Sequence, residues 1–410
     1  MIVRNEAERL EACLASVRGF VDELVLLDTG SSDATVAIAQ RCGAVVHQMD
    51  WPGDFEPARN EALKHVSGDW VLVLDADEQL LEEAKQPLRQ LMAQPELLLI
   101  NLLRFERGAL QSPYSNVSRL FRRHPDIHWS GKYHTMVDDS VAALIAREPH
   151  WRIADCPLPA LVHDGYRPEL LADGAKAARL RAAMEAELAL KPGDPYACAK
   201  LGSLEVSEGN RRRGIELLRL GLAHCPPDAQ PERYELLLHL AIAMGTATGT
   251  ATGMEMGMAM GQERQQESIA FYRQALALPL PARLTLAARL NLAQALLEQG
   301  ETEEAAALAR GACQAAPELA LAWFQLGVIE RQRGQLAAAI AAYRQSLQLD
   351  PNAAASHQNL AVCLLLAGDI PGCRKGFSSA IRLLQQQGRA SEAAALLQQA
   401  GSLVKLELTP

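Results

Sequence analysis

A spacing of 34 residues is the feature that most constrains how the second half of this chain can fold. Gly300, Gly334 and Gly368 follow one another at this interval, and Pro317 and Pro351 repeat it. A period of roughly 20–50 residues indicates a supersecondary unit that stacks on copies of itself. Small residues recur where the two helices of such a unit would cross. The pattern therefore predicts stacked helical hairpins.

One period of this region resembles a known repeat. The segment at 320–351, ALAWFQLGVIERQRGQLAAAIAAYRQSLQLDP, resembles a tetratricopeptide (TPR) repeat, in which Trp323 and Tyr343 would fill gaps between helices. The resemblance implies an all-α TPR superhelix over 195–410, with a first unit at 195–228. It also implies a protein partner that is bound through the repeats.

A low-complexity stretch interrupts the unit at about 231–280. Residues 245–261 read GTATGTATGMEMGMAMG and carry no apolar stripe of helical spacing. We therefore expect a disordered loop between the two helices of that unit. Although methionines bind soft metals, repeat slippage without any function explains this composition better.

The first half of the chain is patterned differently, because strands alternate with helices there. Residues 70–74 form an apolar run rich in Val and Leu, which is typical of a strand buried on both faces of a parallel sheet. Asp75, Asp77 and Glu78 follow it directly, in an Asp-x-Asp (DXD) pattern. Ligands of open α/β sheets bind at the carboxyl ends of the strands, and paired aspartates offer the oxygen ligands that Mg²⁺ and Mn²⁺ prefer.

Two earlier strands of this region also end in polar residues, at Asn5-Glu6 and at Asp28. Strand, helix, strand, helix with short connections predicts a parallel α/β sheet, so these ends meet at one edge. Arg59, near the start of a helix, is placed to pair with phosphate oxygens. The residues that we assign to a nucleotide site at this edge are Asn5, Glu6, Asp28, Gly30, Ser31, Arg59 and Asp75.

Four motifs in order, MIVRNE, VLLDTGSSDAT, ARNEAL and GDWVLVLDADE, resemble the nucleotide-binding half of the family 2 glycosyltransferases, which have the GT-A fold. The narrower resemblance is to the bacterial branch with TPR repeats behind the transferase. It implies an α/β, Rossmann-like and mainly parallel domain over 1–167, then a linker helix over 168–194, then the repeats. The first strand of this domain would be truncated, because the family has several strand residues before the position of Met1.

The resemblance also implies the reaction, a sugar transfer from a nucleotide-diphosphate donor with inversion and with Mn²⁺ or Mg²⁺ as cofactor. Asp28 would contact the base, Asp75 the ribose and Asp77 the metal. The segment LVHDGY at 161–166 resembles the family's late His-x-Gly-Tyr motif. That match would place His163 near the metal or the diphosphate.

The catalytic base is defined less well by the sequence. GKYH at 131–134 resembles the family's Gly-x-x-His, but Thr135 stands where the family commonly has Glu. Asp138 and Asp139 are the nearest carboxylates, and they are our candidates for deprotonating the acceptor hydroxyl. The acceptor itself, a glycan, a lipid-linked glycan or a protein side chain, stays open.

Composition excludes several classes of function. The 410 residues carry a formal net charge of -9, without the basic excess of a nucleic-acid-binding protein. No apolar run approaches the roughly 20 residues that a transmembrane helix needs. The eight cysteines are scattered and form no CxxC pair, which predicts reduced thiols and a cytoplasmic protein. A peripheral position at an inner membrane remains open.

Two alternatives to an active transferase also remain open. In the first, the chain is an interaction protein whose TPR repeats are the working part, while its transferase domain binds nucleotide without turnover. In the second, it is a nucleotidyltransferase, which also places carboxylates at strand ends. That enzyme would need a basic phosphate-binding loop near the N-terminus, and this sequence has none there.

Overall fold

A computed structural model of the chain describes residues 1–109, 113–131, 135–164, 174–245 and 254–404. The chain divides into two compact units, Met1–Pro192 and Gly193–Pro410. All eight cysteines are free thiols, as the sequence predicts. Within the described ranges, the structure contains no helix that is long and apolar enough to cross a membrane.

The first unit begins with a three-stranded parallel sheet, as expected. Its strands, in spatial order, are β1 (Ile2–Val3), β2 (Val25–Asp28) and β3 (Val45–Gln48). The helices that follow them in turn are α1 (Leu10–Ser16), α2 (Thr35–Arg41) and α3 (Phe55–Lys64). Val3, Leu10 and Leu26 are buried together in the core of this sheet. This apolar contact sets the carboxyl ends of β1 and β2 side by side.

A second sheet of five strands is mixed. Its strands are β4 (Trp70–Leu72), β5 (Glu78–Leu80), β6 (Leu97–Glu106), β7 (Tyr114–Arg122) and β8 (Arg152–His163). Their spatial order is β4-β7-β6-β8-β5, in which the β6–β8 ladder is parallel and the others are antiparallel. The helices after β5, β7 and β8 are α4 (Glu82–Met92), α5 (Asp138–Arg147) and α6 (Gly174–Leu190).

The strand predicted at 70–74 does not pair with a parallel neighbour, which corrects the sequence prediction. β4 runs antiparallel to β7, with Val71 opposite Phe121. β6 and β7 form an antiparallel pair, and β7 then lies along β4. A continuous apolar run indicates that a strand is covered on both faces, and it does not encode the direction of the neighbouring strand.

The second unit is all-α, as the 34-residue spacing predicts. Its helices are α7 (Pro195–Ser207), α8 (Arg211–His224), α9 (Gln230–Gly245), α10 (Met254–Leu276), α11 (Leu286–Glu298), α12 (Thr302–Ala315), α13 (Ala320–Gln332), α14 (Leu336–Leu349), α15 (Ala354–Leu366), α16 (Ile370–Gln386) and α17 (Ala390–Leu403). Gly300, Gly334 and Gly368 have φ of 84°, 75° and 83° and lie between the paired helices. Glycine repeats at these turns because other residues are strained at positive φ.

Small residues of the repeat lie at helix crossings. A Cβ on Gly327 would come within 2.6 Å of the Tyr343 ring, so α13 and α14 approach closely at this glycine. Tyr343 is fully buried, as predicted for a gap-filling aromatic residue. Trp323, in contrast, is only partly buried and donates its indole N–H to the Pro317 carbonyl at 2.9 Å.

Helix α10 overlaps the low-complexity stretch, which corrects the prediction of a loop over 245–261. Gly245 is the last residue of α9, and α10 already begins at Met254. Methionine and alanine favour helices, and α10 packs against α9 farther along, so tertiary contact extends the helix into this stretch. Residues 246–253 lie outside the described residues.

Candidate functional site

The loops after β1 and β2 are tied together by hydrogen bonds. Asn5 has a φ of 55°, a conformation that Asn tolerates better than most residues. Its Oδ1 accepts a hydrogen bond from the Ser32 N–H at 2.8 Å, and its own N–H donates to Ser31 Oγ at 2.9 Å. The Glu6 N–H donates to Thr35 Oγ1 at 2.8 Å. Asn5, Glu6 and Ser31 therefore lie together at one sheet edge, as the sequence predicts.

Asp28 shapes the turn at the end of β2. Its carboxylate accepts hydrogen bonds from the Gly30 N–H at 3.2 Å and the Ser31 N–H at 3.1 Å, and Asp28 is only 3% exposed. Gly30 has a φ of 99°, which L side chains rarely adopt. In this structure the Asp28 carboxylate thus aligns the turn, and its contact with a nucleotide base stays a prediction.

Two arginines enclose Asp75. Arg59 Nη2 lies 3.1 Å from Oδ1, and Arg119 Nη2 lies 2.7 Å from Oδ2. Burial alone would raise the pKa of Asp75, but the guanidiniums of Arg119 and Arg59 outweigh it and hold the pKa far below its usual range. The side chain remains 36% exposed, and a carboxylate has about four acceptor positions. Asp75 is therefore a fixed anion that still has room to accept from a ligand hydroxyl.

Arg59 is positioned by Trp129 and its neighbour Asn60. Its guanidinium carbon lies 4.6 Å from the centroid of the Trp129 ring. The Asn60 side chain donates to the Trp129 carbonyl at 3.0 Å and accepts from the Trp129 N–H at 2.8 Å. Burial lowers the pKa of Arg59 to about 10, which leaves it cationic at neutral pH. Arg59 is thus fixed in place at the predicted site and is not an exposed charge on the surface of α3.

Asp77 lies beside two cationic groups. His163 Nε2 is 3.4 Å from Asp77 Oδ2, and Arg9 Nη1 is 3.5 Å from the same oxygen. Burial raises the pKa of Asp77, but the hydrogen bond and charge of His163 outweigh it, so the pKa falls below its ordinary value. These contacts are longer than those of Asp75. The sequence prediction that Asp77 and His163 share one site is consistent with this geometry.

Glu106 supports the other side of the His163 ring. His163 Nδ1 lies 2.6 Å from Glu106 Oε2. Burial lowers the pKa of His163, but hydrogen bonds to Asp77 and Glu106 overcome this effect and raise the pKa to about 9. At neutral pH the imidazole is therefore protonated and bridges the two carboxylates.

The buried charges beneath this site are not predicted by the sequence patterns. Arg104 joins Glu78 at 2.6 Å and Glu106 at 2.8 Å, and both carboxylates are at most 3% exposed. The Asp75 N–H donates to Glu78 Oε2 at 2.9 Å, so the network reaches the DXD loop. A signal was available, because Arg104 and Glu106 interrupt an otherwise apolar strand and buried charges need partners. Arg119, the second partner of Asp75, is not among the residues that the sequence assigned to the site.

The candidate bases lie in the first turn of α5. Asp138 accepts from Ser118 Oγ at 2.8 Å, and burial raises the pKa of Asp138. Asp139 accepts from Ser130 Oγ at 3.2 Å. Among the described residues, no hydrogen bond joins either carboxylate to Asp75 or Asp77. Their role as base stays a prediction.

The described residues include only part of the Gly-x-x-His and His-x-Gly-Tyr motifs. Residues 132–134, which include the histidine of the Gly-x-x-His segment, lie outside the described residues, as do Gly165 and Tyr166 of the late motif. Thr135 is 8% exposed and occupies the position where the family commonly has Glu. Threonine has no carboxylate, so buried Thr135 does not replace the acidic side chain of that Glu.

The divalent cation predicted from the sequence would have Asp77 and His163 as protein ligands and would take its other ligands from a diphosphate. Across residues 1–109, 113–131, 135–164, 174–245 and 254–404, no group of three His, Cys, Asp or Glu side chains converges to hold a metal by itself. The Nδ1 contact with Glu106 is the support that metal-binding histidines usually have. Mg²⁺ and Mn²⁺ sites often combine one or two protein ligands with substrate phosphates.

Family models match both units. Residues 1–154 match the model described as glycosyl transferase family 2. Residues 286–329 match a tetratricopeptide repeat model, and 327–368 match a TPR repeat model. The family resemblance stated from the motifs is therefore confirmed in both halves of the chain.

Several curated proteins are similar to this chain. A TPR repeat-containing protein of Synechococcus elongatus is 43% identical over 392 residues, which cover 95% of this chain and 92% of that protein. The SPbeta prophage-derived glycosyltransferase SunS of Bacillus subtilis is 27% identical, over 48% of this chain and 46% of SunS. An uncharacterized glycosyltransferase of Rickettsia bellii is 31% identical, over 30% of this chain and 45% of its own length. The chain belongs to the family that joins a glycosyl transferase family 2 domain to tetratricopeptide repeats.

Proposed function

We propose that the first unit transfers a sugar from a nucleoside-diphosphate donor to an acceptor hydroxyl, with Mn²⁺ or Mg²⁺ held on the diphosphate. The observation that supports this most directly is that Asp75 and Asp77, on one loop, each lie beside cationic side chains from other parts of the unit. A nucleotide sugar offers hydroxyl donors on its ribose and anionic oxygens on its diphosphate. A site for it needs fixed carboxylates and positive charge together: this loop supplies the carboxylates, and Arg59, Arg119 and His163 from other elements supply the charge.

Asp75 accepts hydrogen bonds from the ribose in this proposal. Arg59 and Arg119 hold its two oxygens before the donor arrives, so the carboxylate does not have to reorient. Asp28 keeps Gly30 and Ser31 in the turn along which the base would lie. The proposed donor site is therefore rigid at both of its ends.

Asp77 Oδ2 and His163 Nε2 are the groups that would hold the cation. Once bound, Mn²⁺ or Mg²⁺ would act as a Lewis acid on the departing nucleoside diphosphate. Glu106 keeps the imidazole oriented through Nδ1. Arg9 adds a positive charge 3.5 Å from Asp77, next to the phosphates. His163 has to lose its Nε2 proton before it binds a metal, so this affinity will fall in acid.

Asp138 is our first candidate for removing the acceptor's proton, and Asp139 is the second. The buried carboxyl of Asp138 has a raised pKa, which suits a group that accepts a proton during the reaction. Attack of the acceptor oxygen on the anomeric carbon, opposite the leaving diphosphate, gives inversion in one displacement.

The role of Asp77 is tested by calorimetric titration of the nucleoside diphosphate with and without Mn²⁺. Asp77→Asn keeps the shape of the side chain and removes the charge that balances the cation. We expect a loss of donor affinity of about tenfold or more with Mn²⁺ and little change without it, since the metal and the donor bind together. Asp75→Asn is the matched control and should weaken binding in both conditions. Equal losses for Asp77→Asn in the two conditions would exclude it as the metal ligand.

The base is tested by Asp138→Asn and Asp139→Asn. A base acts in the transition state, so its loss should lower kcat by about 100-fold or more and leave donor affinity nearly intact. Single-turnover transfer and donor titration measure the two quantities separately. If both variants turn over at the wild-type rate, another acidic residue near the acceptor is the base.

The repeats support a second proposal, that the α-helical unit binds a protein partner or a protein acceptor. The interaction-protein alternative is separated from the enzyme by a donor-hydrolysis assay with Mn²⁺. Turnover that is lost in Asp77→Asn would favour the transferase. Donor binding without hydrolysis or transfer, over a range of acceptors, would favour the interaction protein.

A further inference from the structure

A β-bulge in β7 lies between the DXD loop and the candidate base. The register of the β6–β7 ladder shifts by one residue, so that Ser118 and Arg119 of β7 lie opposite the single residue Asn101 of β6. Bulges re-aim side chains, and they are common next to active sites. Here the guanidinium of Arg119 lies 2.7 Å from Asp75, whereas the hydroxyl of Ser118 lies 2.8 Å from Asp138. Adjacent residues of one strand therefore contact the DXD loop and the candidate base.

The orientation of the Asn101 amide is set by β8. Asp155 lies opposite Asn101 in the β6–β8 ladder, and its Oδ1 accepts a hydrogen bond from Asn101 Nδ2 at 2.9 Å. An ionised carboxylate only accepts hydrogen bonds, so it would repel the amide oxygen at this position. Asn101 therefore presents its Oδ1 to Ser118, whose Oγ lies 3.2 Å away.

The Ser118 hydroxyl has two acceptors for its single proton. Its Oγ lies 2.8 Å from Asp138 Oδ1 and 3.2 Å from Asn101 Oδ1, and neither oxygen carries a hydrogen while Asp138 is ionised. Ser118 then donates to Asp138, and Asn101 Oδ1 goes without this donor. When Asp138 is protonated on Oδ1, it donates to Ser118 Oγ, and the Ser118 hydroxyl turns to Asn101. The protonated carboxyl therefore completes a hydrogen-bond chain that the ionised one leaves broken.

The second oxygen of Asp138 also disfavours the ionised form. Asp138 Oδ2 is buried and accepts no hydrogen bond from any other described residue. A buried anionic oxygen without a donor is costly, whereas the carbonyl oxygen of a neutral carboxyl tolerates the same place better. Burial raises the pKa of Asp138, although the Ser118 hydroxyl and the residue's own backbone N–H act in the opposite direction.

The charged groups on the surrounding elements do not oppose a proton on Asp138. Asp139, in the same turn of α5, is a carboxylate that raises the pKa of Asp138. Asp155 on β8 is another carboxylate, at the far end of the hydrogen-bond chain. Arg119 on β7 is paired with Asp75 at 2.7 Å. Hydrogen bonding, burial and charge therefore favour the same protonation state.

We propose that Asn101, held by Asp155, is a positioning residue that stabilises the protonated form of Asp138 through Ser118 and so makes Asp138 a stronger base, an inference that rests on the proposed function. The proton that the acceptor hydroxyl loses comes to rest on Asp138 Oδ1. The electron pair of the broken bond leaves with the nucleoside diphosphate.

This geometry separates the two candidate bases. Asp139 is exposed and accepts from Ser130 Oγ at 3.2 Å. Among the described residues, no second acceptor lies on the Ser130 hydroxyl, so a proton on Asp139 completes no further hydrogen bond there. Asp138 is therefore the carboxylate whose surroundings fit it to take up a proton.

Titration of the Asp138 carboxyl tests the proposal without donor or acceptor. Carbon-13 NMR of labelled aspartate follows the protonation, and Asp138→Asn identifies the signal. Asn101→Ala removes the acceptor of Ser118, so it should move the Asp138 titration to lower pH by about half a unit or more, the equivalent of one neutral hydrogen bond. An unchanged titration would overturn the proposal.

Asn116→Ala is the matched control. Asn116 Nδ2 donates to the same oxygen of Asp155, at 3.2 Å, but belongs to the other side of the hydrogen-bond chain from Ser118. Its loss should leave the Asp138 titration in place. A shift equal to that of Asn101→Ala would mean that any change around Asp155 has this effect, and would overturn the proposal.

A double-mutant cycle shows whether Asn101 acts through Ser118. In Ser118→Ala the hydrogen-bond chain is already broken, so adding Asn101→Ala should not move the Asp138 titration further. An equal shift in both backgrounds would overturn the proposal. Asp155→Asn is the second variant, should Asn101→Ala fail to fold, because it frees the amide to turn its Nδ2 to Ser118. Its shift should also go to lower pH and should also require Ser118, and absence of that dependence would count against the proposal.

The pH dependence of donor hydrolysis with Mn²⁺, in which water takes the place of the acceptor, separates this inference from the proposed function. The rate should fall in acid as Asp138 becomes protonated, and in Asn101→Ala this fall should move to lower pH together with the titration. A fall that stays in place while the titration moves would overturn the inference. Hydrolysis and transfer at the wild-type rate by Asp138→Asn would refute the base assignment and this inference with it, whereas an unshifted titration would refute the inference alone.

Discussion

Asp75 and Asp77 are separated by one residue, yet their surroundings differ. Asp75 makes short contacts, at 2.7 and 3.1 Å, with two guanidiniums that are themselves largely buried. Asp77 makes looser contacts, at 3.4 and 3.5 Å, with His163 and Arg9. This contrast is the physical basis for giving Asp75 to a neutral hydroxyl and Asp77 to a cation.

His163 gives the first unit a stability that depends on pH. Its folded pKa of about 9 lies above the ordinary 6.5, so the folded state binds more protons between these values. The contribution of His163 to the free energy of unfolding is therefore fully present below pH 6.5 and is lost as the pH rises to 9. We expect wild-type protein without metal to lose on the order of 2 kcal/mol over this range, and His163→Gln to lose much less.

Urea unfolding of the first unit at pH 6, 7.5 and 9, with a chelator present, measures this effect. His150→Gln is the control, since His150 is an exposed histidine of the same unit. It should keep the wild-type pH profile. A His163→Gln profile parallel to that of wild type would mean that the contacts with Asp77 and Glu106 do not hold a proton on the imidazole.

Among the secondary-structure elements, the repeat helices depend on glycine for two different reasons. At Gly334 the backbone requires a positive φ, whereas at Gly327, inside α13, the neighbouring Tyr343 leaves no room for a Cβ. Gly311, inside α12, has neither constraint, because its nearest neighbour is the flexible end of Arg289. The two helical glycines form a matched pair for an experiment.

Gly327→Ala and Gly311→Ala should change stability in opposite directions. Alanine in place of a helical glycine contributes about 0.5–1 kcal/mol through propensity, and Gly311→Ala should show this gain. At Gly327 the Cβ would lie 2.6 Å from the Tyr343 ring, so overpacking should lower stability by about 1–3 kcal/mol. Urea unfolding followed by circular dichroism gives both values. Equal changes at the two sites would show that α13 and α14 are not closely packed at this crossing.

At the scale of the whole molecule, the chain consists of two units, each with its own core. Buried Leu88, Ile100 and Leu161 belong to a cluster in the first unit, and Tyr343 and Phe377 belong to a cluster in the second. In repeat proteins each hairpin packs mainly on its neighbours, so stability is gained hairpin by hairpin along the array. The second unit therefore has the contacts that it needs to fold without the first.

A fragment of residues 193–410 should unfold cooperatively, with a Tm within a few degrees of the repeat transition in the full chain. A fragment of residues 193–332 lacks α14 to α17 and exposes the face of α13 that packs on Tyr343, so its Tm should be clearly lower. Differential scanning calorimetry of the three proteins measures this. A non-cooperative transition in 193–410 would mean that the second unit requires the first.

The sequence alone determined the class of each unit, because both signals are local. Glycine recurs every 34 residues because the backbone has a positive φ at each of these turns. Polar residues directly after apolar strands indicate the edge of a sheet at which a ligand binds. Asn5, Asp28 and Asp75 lie at or just after the ends of β1, β2 and β4, but β4 belongs to the mixed second sheet and not to the parallel sheet of β1 and β2.

Tertiary structure alone decided the rest, because those features depend on residues far apart in the chain. The direction of β7 along β4, the pairing of Asp75 with Arg119 across 44 positions and the Glu106–His163 contact across 57 positions leave no local pattern. Helix α10 extends into the low-complexity stretch where it is continuous with a segment that packs on α9. Local composition sets which conformations are low in free energy, whereas burial and charge pairing between distant segments select the one that forms.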